Sequence, residues 1–360
     1  MKMGPEEAIK LLRQRIETID RRILSLLNER AEVAMEVGKV KSEGKIAPYN
    51  SKREEEILSS LNSQSSGPFP KGAISPVFRE IISACRSLET ELTVAYLGPP
   101  ATHTHLACIE HFGSSIRALS KESIQEVFEE VERGKMSYGV VPIENSTEGV
   151  VHRTLDMFID SEVKICSEIL IRISHDLLSL SGESKDIEKI YSHPQALGQC
   201  RQWLRKNLPH LPLIETASTA KAAQMAAEDP KSAAIASSFA AHLYGLRAIE
   251  SQIEDYLFNY TRFLVLGRQG GERTGRDKTS LLFSVSDSPG SLYGALKPFS
   301  KKGIKLTKIE SRPIKDRPWE YVFFLDFEGH VTDPHIDEVV SKLKKKVLFL
   351  KFLGSYPQSS

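Results

Sequence analysis

The feature of this sequence that most constrains its fold is a long apolar stripe near the N-terminus, uninterrupted by proline between Pro5 and Pro48. Apolar side chains recur there at spacings of three, four and seven residues, at Ile9, Leu12, Ile16, Ile19, Ile23, Leu26, Val33, Val37 and Val40. This periodicity predicts one α-helix over residues 6–43, about 38 residues and roughly 57 Å long. Two shorter helices, over 51–61 and from Ser75-Pro76 to about Thr90, complete a helical segment over residues 1–92.

One face of the long helix mixes apolar residues with charges, among them Arg13, Arg30 and Lys41. A charge on a buried stripe needs a partner or an anionic ligand, so interhelical ion pairs and a cationic pocket for a small polycarboxylate both account for it. Arg13 and Lys41 are about 42 Å apart along one helix and cannot reach the same small molecule, whereas Arg30 and Lys41 are about 16 Å apart and can converge. We therefore expect a second copy of the chain to supply Arg13, in an intertwined dimer that also buries the stripe.

Two segments of mixed structure follow the helical one. Residues 93–270 alternate short apolar runs with helical stretches, which is typical of parallel α/β units. The predicted strands are 94–97, 138–142, 163–171, 187–191, 213–216, 233–236 and 263–266. After a Gly/Arg-rich linker, residues 279–356 have the predicted order strand, helix, strand, strand, helix, strand, which is that of a ferredoxin-like α+β domain. The chain is therefore predicted to be multidomain, with an all-α, an α/β and an α+β part.

Polar turns follow several predicted strands of the α/β segment, notably in YGVVPIENSTEG at 138–149 and in SHPQ at 192–195. Ligands of open α/β sheets bind where strands end, and helix N-termini bind carboxylates. A plain helix cap explains each turn on its own, but several such turns together suit an anionic, hydroxylated substrate. The run NYTRF at 259–263 adds Thr261 at the start of another strand, and Arg262 as a partner for a carboxylate.

Composition excludes several classes of protein. The 48 Lys and Arg residues against 47 Asp and Glu give a net charge of +1, which excludes polyanion binding by bulk charge. Charges from Lys2 onward leave no apolar core for a signal peptide, and no run of 18 apolar residues could span a membrane. The four cysteines form no CxxC pair, so we expect free thiols in a reducing cytoplasm.

Two motifs that imitate cofactor sites are rejected. His103-x-His105 completes no familiar zinc spacing, and both residues are expected to be surface or loop histidines. Residues 270–277 imitate a phosphate-binding loop but carry Arg276-Asp277 where Lys-Ser/Thr is needed. We expect neither a metal nor a cofactor.

The run RQRIETIDRRILSLLNERAEVAMEVGKVK at 13–41, followed by Arg53-Glu54, resembles the helical chorismate mutases. Members of that family are domain-swapped helical dimers that convert chorismate to prephenate. The resemblance implies that Arg13, Arg30 and Arg53 hold the two substrate carboxylates. It also implies that Lys41 lies at the ether oxygen and that Glu54 accepts a hydrogen bond from the substrate hydroxyl. Such a Claisen rearrangement needs only a folded substrate conformer and positive charge at the ether oxygen.

Three further positions of the helical segment depart from the pattern of these mutases. Cys85 and Glu89 stand where many members have Ser and Gln, and Asn50 stands where some have Asp. The resemblance implies that all three lie at the substrate, with Glu89 close to the ether oxygen.

AYLGP at 95–99, VVPIENSTEG at 140–149 and YTRFLVLG at 260–267 resemble prephenate dehydratases, over essentially the whole α/β segment. The resemblance implies two α/β lobes of the periplasmic-binding-protein type, a site in the cleft between them, no cofactor and a key threonine, Thr261. The residues implied in substrate binding are Glu144, Asn145, Ser146, Gln195, Arg262 and Phe263. Ala101 and His103 replace a glycine and an aromatic residue that relatives often have after Pro99.

The run KIESRPIKDRPWEYVFFLDFEGH at 308–330 resembles the regulatory ACT domains of the same enzymes. In such domains phenylalanine binds between two modules, and a purely dimerising ferredoxin-like domain is the alternative. The residues implied are Gly290, Ser291 and Leu292 in the first-helix turn, and Glu310, Ser311, Arg312 and Pro313. The glycine turn at a helix N-terminus can take the carboxylate of the amino acid.

The three resemblances imply a bifunctional enzyme with a mutase domain at 1–92, a dehydratase domain at 93–270 and an ACT domain at 279–356. It would take chorismate through prephenate to phenylpyruvate, be inhibited by phenylalanine, and act as a homodimer or larger homo-oligomer that binds neither nucleic acid nor membrane. Two alternatives stay open: a dehydratase whose helical segment only dimerises, and a two-lobed small-molecule sensor without catalysis.

Overall fold

The computed structural model describes residues 4–44, 49–313 and 321–359. Within them the chain forms two compact units, which we describe separately. The first comprises the chain up to Leu92 together with Phe112–Arg117, and the second comprises Thr93–His111 and everything from Ala118 onward. In the described residues no helix is both long enough and apolar enough to cross a bilayer, and all four cysteines are buried free thiols.

The first unit consists of three helices, α1 (Pro5–Glu43), α2 (Ser51–Gln64) and α3 (Lys71–Glu89). The prediction of one long N-terminal helix is confirmed, since α1 has 39 residues. The predicted start of the third helix is wrong, because α3 begins at Lys71 and Pro76 lies inside it. A proline there removes one backbone hydrogen bond, a loss that the packing of α3 tolerates.

The C-terminal half of helix α1 contacts α3. Half-buried residues recur there every three or four positions, at Leu27, Arg30, Ala31, Ala34, Gly38 and Lys41. Gly38 allows the close approach, since a Cβ on it would lie 3.0 Å from the Glu89 Cα. The helix has no fully buried residue, and its large apolar side chains, including Leu12, Ile16 and Ile23, are exposed.

The second unit contains two sheets of an α/β fold. The first has the order β2-β1-β3-β11-β5, with β4 paired to β3. Its strands are β1 (Thr93–Leu97), β2 (Arg117–Lys121), β3 (Tyr138–Asn145), β4 (Gly149–Val150), β5 (Lys164–Arg172) and β11 (Tyr260–Gly267). The second has the order β10-β6-β9-β7-β8. Its strands are β6 (Asp176–Ser179), β7 (Lys189–Ser192), β8 (Leu213–Glu215), β9 (Ser232–Ala236) and β10 (Arg247–Glu250).

Helices connect these strands, but the pairing is mixed rather than wholly parallel. The helices are α4 (His103–Phe112), α5 (Ile124–Glu132), α6 (His152–Asp160), α7 (Pro194–Gln199), α8 (Arg201–Asn207), α9 (Thr219–Glu228) and α10 (Ser238–Tyr244). Parallel pairing is confirmed for β1 with β3 and for β7 with β8 and β9. It is wrong for β11, which returns from the second sheet and runs antiparallel to both β3 and β5.

The C-terminal module has the predicted βαββαβ order. Its elements are β12 (Asp277–Ser284), α11 (Ser291–Lys301), β13 (Leu306–Pro313), β14 (Tyr321–Glu328), α12 (Pro334–Lys344) and β15 (Phe349–Pro357). The sheet order is β13-β14-β12-β15, antiparallel throughout. Part of the run that carries the ACT resemblance, residues 314–320, lies outside the described residues.

Both faces of this C-terminal sheet carry buried apolar side chains. Leu281 and Phe283 pack with the module's own helices, whereas Leu282, Phe324 and Tyr356 belong to the apolar core of the first α/β sheet. Gly354 lies so close to the Ile165 carbonyl that a Cβ would collide with it. The module and the first sheet therefore share one core.

Candidate functional site

Ionisable side chains from all three helices of the first unit meet on α3. The Lys41 Nζ donates to Glu89 Oε2 at 2.8 Å, and Arg86 pairs with Glu54. Burial raises the pKa of the Glu54 carboxyl. The positive charges of Arg86, and then of Arg79, Lys41 and Arg30, oppose this shift by lowering the pKa. The structure thus brings four of the sequence-predicted residues together: Arg30, Lys41, Glu54 and Glu89.

Other predicted residues of this segment lie apart from that cluster or have structural contacts. Arg13 is exposed on the N-terminal part of α1, and the side chain of Arg53 is 69% exposed beside Glu56. The Asn50 side chain caps α2 by accepting from the Arg53 backbone N–H at 3.0 Å. Cys85 is buried within α3.

Arg79 and Arg86 are absent from the residues that the sequence analysis selects. Arg86 is buried, and its guanidinium also donates to the Phe112 carbonyl. Both arginines lie at helical spacing from the apolar Ile82, so the pattern of charges on an apolar helix face, which indicates Arg30 on α1, indicates both of them on α3 as well.

A cavity of about 370 Å³ opens in the α/β segment where strands end and helices begin. Its lining residues include Asn145 at the end of β3, Thr261 and Phe263 on β11, His175 before β6, and Gln195 and Gln199 on α7. The N-terminus of α9 adds Ser218 and Thr219. Four of the sequence-predicted residues are thereby brought together: Asn145, Gln195, Thr261 and Phe263.

The Asn145 side chain fixes the orientation of the Thr261 hydroxyl. Asn145 Oδ1 accepts from the backbone N–H groups of Thr147 and Glu148 at 2.9 and 3.0 Å, which assigns the amide nitrogen to the other side. That nitrogen donates to Thr261 Oγ1 and to Asn259 Oδ1, both at 2.8 Å. Because Thr261 Oγ1 accepts from Asn145, its own hydroxyl proton is available to donate elsewhere.

Neighbouring residues on β3 and β11 face opposite sides of the sheet, as strand geometry requires. Thr261 lines the cavity, whereas the guanidinium of Arg262 donates to Glu168, Asp326 and Tyr356 at 2.6, 2.7 and 2.9 Å. Asn145 lines the cavity, whereas Glu144 pairs with Lys308 of β13 at 2.8 Å. The structure therefore separates Arg262 and Glu144 from the cavity and turns both toward the C-terminal module.

Ser146 also has a structural contact. Its hydroxyl accepts from the Tyr260 backbone N–H at 2.9 Å and joins the turn after β3 to the start of β11.

The cavity is lined by imidazoles rather than by permanent cations. Among the described residues no lysine or arginine lines it, Glu148 is its one carboxylate, and His103, His175 and His193 are its titratable nitrogen groups. Burial, with His175 nearby, lowers the pKa of His103 to about 4, and burial also lowers the pKa of His175. The expectation that His103 is a surface or loop histidine is wrong, because α4 carries it into the cavity wall.

His105 is not a ligand partner of His103. Its ring stacks on Tyr96 at 4.5 Å between centroids. The described residues contain no group of His, Cys, Asp or Glu side chains arranged to hold a metal ion.

In the C-terminal module the predicted residues lie on two elements, α11 and β13. Gly290 caps α11 with a φ of +85°, a conformation that glycine adopts readily, and Ser291 and Leu292 open the helix. On β13, Glu310 and Arg312 are half-buried while Ser311 and Pro313 are exposed.

The half-buried side chains of β13 face α6. Arg312 makes two hydrogen bonds to the Asp156 carboxylate, at 2.9 and 3.1 Å, and Glu310 lies 3.8 Å from His152. This face of β13 therefore contacts the α/β segment rather than solvent.

Three family models match the chain in succession. They are chorismate mutase type II at residues 12–90, prephenate dehydratase at 94–271 and the ACT domain at 279–345.

Relatives match over nearly the full length. The bifunctional chorismate mutase/prephenate dehydratase of Aquifex aeolicus is 50% identical over 98% of this chain and 99% of its own. The protein of the same description from Pseudomonas aeruginosa is 43% identical over 99% of this chain and 100% of its own. The crystal structure of prephenate dehydratase from Arthrobacter aurescens in complex with L-Phe is 34% identical, with a TM-score of 0.69, and covers 74% of this chain and 90% of that one.

Proposed function

Because the chain belongs to the family of bifunctional chorismate mutase/prephenate dehydratases, we propose that it catalyses its two reactions in two separate sites. The chain rearranges chorismate to prephenate and converts prephenate to phenylpyruvate. Family membership over the whole length leaves no room for a purely dimerising helical segment or a sensor without catalysis. We assign the mutase to 1–92, the dehydratase to 93–270 and regulation to 279–356, in a cytoplasmic protein.

The proposed mutase site is the charged cluster on α3, completed by a second copy of the chain. Lys41 lies beside Glu89, and Arg30, Arg79 and Arg86 supply further positive charge around the half-buried Glu54. Positive charge stabilises the ether oxygen as its bond breaks, and fixed carboxylate contacts hold the folded conformer. Arg13 lies about 42 Å along α1 from Lys41, so it would act in the partner's site.

The exposed apolar face of α1 supports this dimer. Leu12, Ile16 and Ile23 are each about half exposed in the single chain. An antiparallel second α1 would cover them and carry its own Arg13 toward the Lys41 end.

The proposed dehydratase site is the cavity between the α/β sheets, and the Thr261 hydroxyl is the observation that carries the proposal. It is held by Asn145 with its proton free to donate, at the edge where two sheets and three helices meet. A hydrogen bond from Thr261 to the departing hydroxyl of prephenate would assist the loss of water. The N-terminus of α9 offers backbone N–H groups to a carboxylate.

Regulation by phenylalanine is proposed for the C-terminal module. The carboxylate of the amino acid would bind at the N-terminus of α11, by Gly290 and Ser291. Strands β3 and β11 support a connection to catalysis, because each presents one residue to the cavity and the next one to the module: Asn145 with Glu144, and Thr261 with Arg262.

The two-site proposal is tested by separating the activities. Arg30→Ala should abolish the mutase reaction of added chorismate and spare the dehydration of added prephenate, whereas Thr261→Val should do the reverse. The isosteric valine removes only the hydroxyl, and each activity is the folding control for the other. Loss of both activities in either soluble, folded variant would refute separate sites.

A further inference from the structure

Two buried ring nitrogens in the wall of the cavity have no hydrogen-bond partner among the described residues: Nδ1 of His175 and Nε2 of His103. Both residues line the cavity, and their rings meet edge to face with centroids 6.2 Å apart. His175 is 2% exposed. An unpaired buried polar atom costs free energy, so its persistence at a ligand cavity indicates a role with the ligand.

The tautomer of His175 follows from its neighbours. Gln199 Oε1 accepts from Asn259 Nδ2 at 3.2 Å and lies 2.8 Å from His175 Nε2. Because that oxygen can only accept, His175 Nε2 carries the hydrogen and Nδ1 keeps a lone pair. The unpartnered atom of His175 is therefore a base that can take up a proton.

The reaction itself requires a proton. Prephenate enters as a dianion, and loss of its hydroxyl and its ring carboxylate gives the phenylpyruvate anion, carbon dioxide and water. The balance consumes one proton, which must reach the departing oxygen. The Thr261 hydroxyl is too weak an acid to supply it fully, and the only carboxyl group among the described lining residues is Glu148.

We propose that His175 is the proton donor of the dehydration and that it takes up a proton when the dianionic substrate binds in the cavity. This inference rests on the proposed location of the dehydratase site. Two carboxylates in a cavity without permanent cations stabilise an imidazolium. Nδ1 binds a proton from solvent and passes it to the hydroxyl oxygen as the C–O bond breaks. The electron pair of the bond to the ring carboxylate enters the ring, carbon dioxide leaves, and His175 returns to its neutral tautomer.

The groups around His175 allow one added proton on the pair of His175 and His103 and disfavour a second one. Burial holds the pKa of His175 below its ordinary value, although the Gln199 hydrogen bond and the charges of Glu254 and Asp176 oppose this shift. Glu254 also accepts from the His175 backbone N–H at 2.9 Å and pairs with Arg172. Within the cavity, His103 faces the same space, and His193 and Glu148 line it too. A proton on one ring of the pair repels a proton on the other, which makes His175 and His103 a single-proton unit.

The test uses the full-length chain and follows prephenate turnover from pH 5 to 9. In the wild type kcat/KM should fall as pH rises through the pKa of free His175, and kcat should fall only at higher pH, because bound substrate stabilises the imidazolium. His175→Gln keeps a donor to Gln199 but cannot transfer a proton. It should lower kcat by roughly a hundredfold or more and remove the falling limb. Added imidazole should partly restore His175→Gly.

His103→Phe is the matched variant, since it keeps an aromatic ring in the same wall, and it should retain the falling limb. The proposal is overturned if His175→Gln keeps that limb, if its kcat stays near the wild-type value, or if His103→Phe alone removes the limb. Mutase activity on chorismate checks that each variant is folded. An active Thr261→Val variant would refute the proposed site itself, whereas an inactive one beside a fully active His175→Gln would refute only the role of His175.

Discussion

At the scale of single residues, Glu89 stands out because it places a carboxylate beside Lys41 in the proposed mutase site, at 2.8 Å. Where related mutases have Gln, an amide can donate a hydrogen bond to the ether oxygen, whereas a carboxylate cannot. The carboxylate of Glu89 also lies against Lys41, the lysine that we propose acts at the ether oxygen.

We predict that Glu89→Gln retains mutase activity on added chorismate. The neutral amide can donate a hydrogen bond to the ether oxygen and removes the carboxylate from beside Lys41. Dehydratase activity on added prephenate should be unchanged, which shows that the variant is folded. A folded variant without mutase activity would show that the carboxylate itself is required.

His103 links the cavity to the acid stability of the fold. Its pKa is about 4 in the folded chain, below the ordinary histidine value of 6.5, so the unfolded chain binds the proton more tightly. The stability contributed by neutral His103 is therefore full above about pH 6.5 and is lost as pH falls toward 4, at up to about 1.4 kcal/mol per pH unit.

We predict that His103→Phe loses less stability than the wild type between pH 8 and pH 5. Phenylalanine fills the same space and has no proton to bind. Urea unfolding of the second unit at both pH values measures the difference. Equal losses in the two proteins would show that His103 is already protonated or solvated when folded.

At the scale of elements, β11 is the strand on which cavity and module meet. Arg262 holds two buried carboxylates, those of Glu168 and Asp326, whose side chains are 3% and 0% exposed. Lys278 also pairs with Glu168 at 2.8 Å. Among the residues that the structure describes, removing the arginine would leave the buried Asp326 with the neutral Ser280 hydroxyl as its hydrogen-bond partner.

We predict that Arg262→Met destabilises the second unit by about 3–5 kcal/mol, the usual cost of breaking a buried ion pair. Thermal unfolding measures the loss, and the exposed Arg276→Met is the control, expected to change stability by less than about 0.5 kcal/mol. A variant that loses dehydratase activity at unchanged stability would instead indicate a direct role of Arg262 at the substrate.

The N-terminus of α11 gives a second prediction for this scale. Ser291→Asp puts a negative charge where the carboxylate of phenylalanine is proposed to bind, and it suits the helix dipole, so the fold should be retained. The phenylalanine concentration for half-inhibition of the dehydratase should rise at least about tenfold, which corresponds to about 1.4 kcal/mol. Ser341→Asp, exposed on α12, should leave inhibition as it is. Unchanged inhibition of the Ser291 variant would move the binding site elsewhere.

At the scale of the whole molecule, the mutase site is proposed to be shared between two chains. An Arg13→Ala chain and an Arg30→Ala chain should each be inactive as mutases, since every site lacks one arginine. When the two are co-expressed in equal amounts, half of the dimers are mixed and contain one intact site. Mutase activity should then recover to about a quarter of the wild type. No recovery in demonstrated mixed dimers would mean that Arg13 acts within its own chain, and an active Arg13→Ala chain would mean that Arg13 has no role in the reaction.

Local patterns predict part of this molecule well. The stripe from Ile9 to Val40 predicts α1 because helical periodicity is a short-range property, and the order of elements predicts the C-terminal module for the same reason. The contacts of Arg86 with Glu54 depend on packing between helices, which no single stripe contains. Strand alternation shows that Thr261 and Arg262 cannot share a face, but only the partner sheet decides which of them meets the cavity.

The core that the C-terminal sheet shares with the first α/β sheet has a consequence for how such a chain can change over generations. Leu282, Phe324 and Tyr356 lie in that core, and Arg262 and Glu168 are neutralised from the same side. A truncated chain would expose apolar surface and would leave buried charges without their partners. Deletion of the module should therefore unfold the dehydratase domain. Natural variants that escape inhibition by phenylalanine should therefore carry single substitutions, at sites such as α11. An engineered enzyme without this inhibition should likewise be sought by substitutions within the module rather than by its deletion.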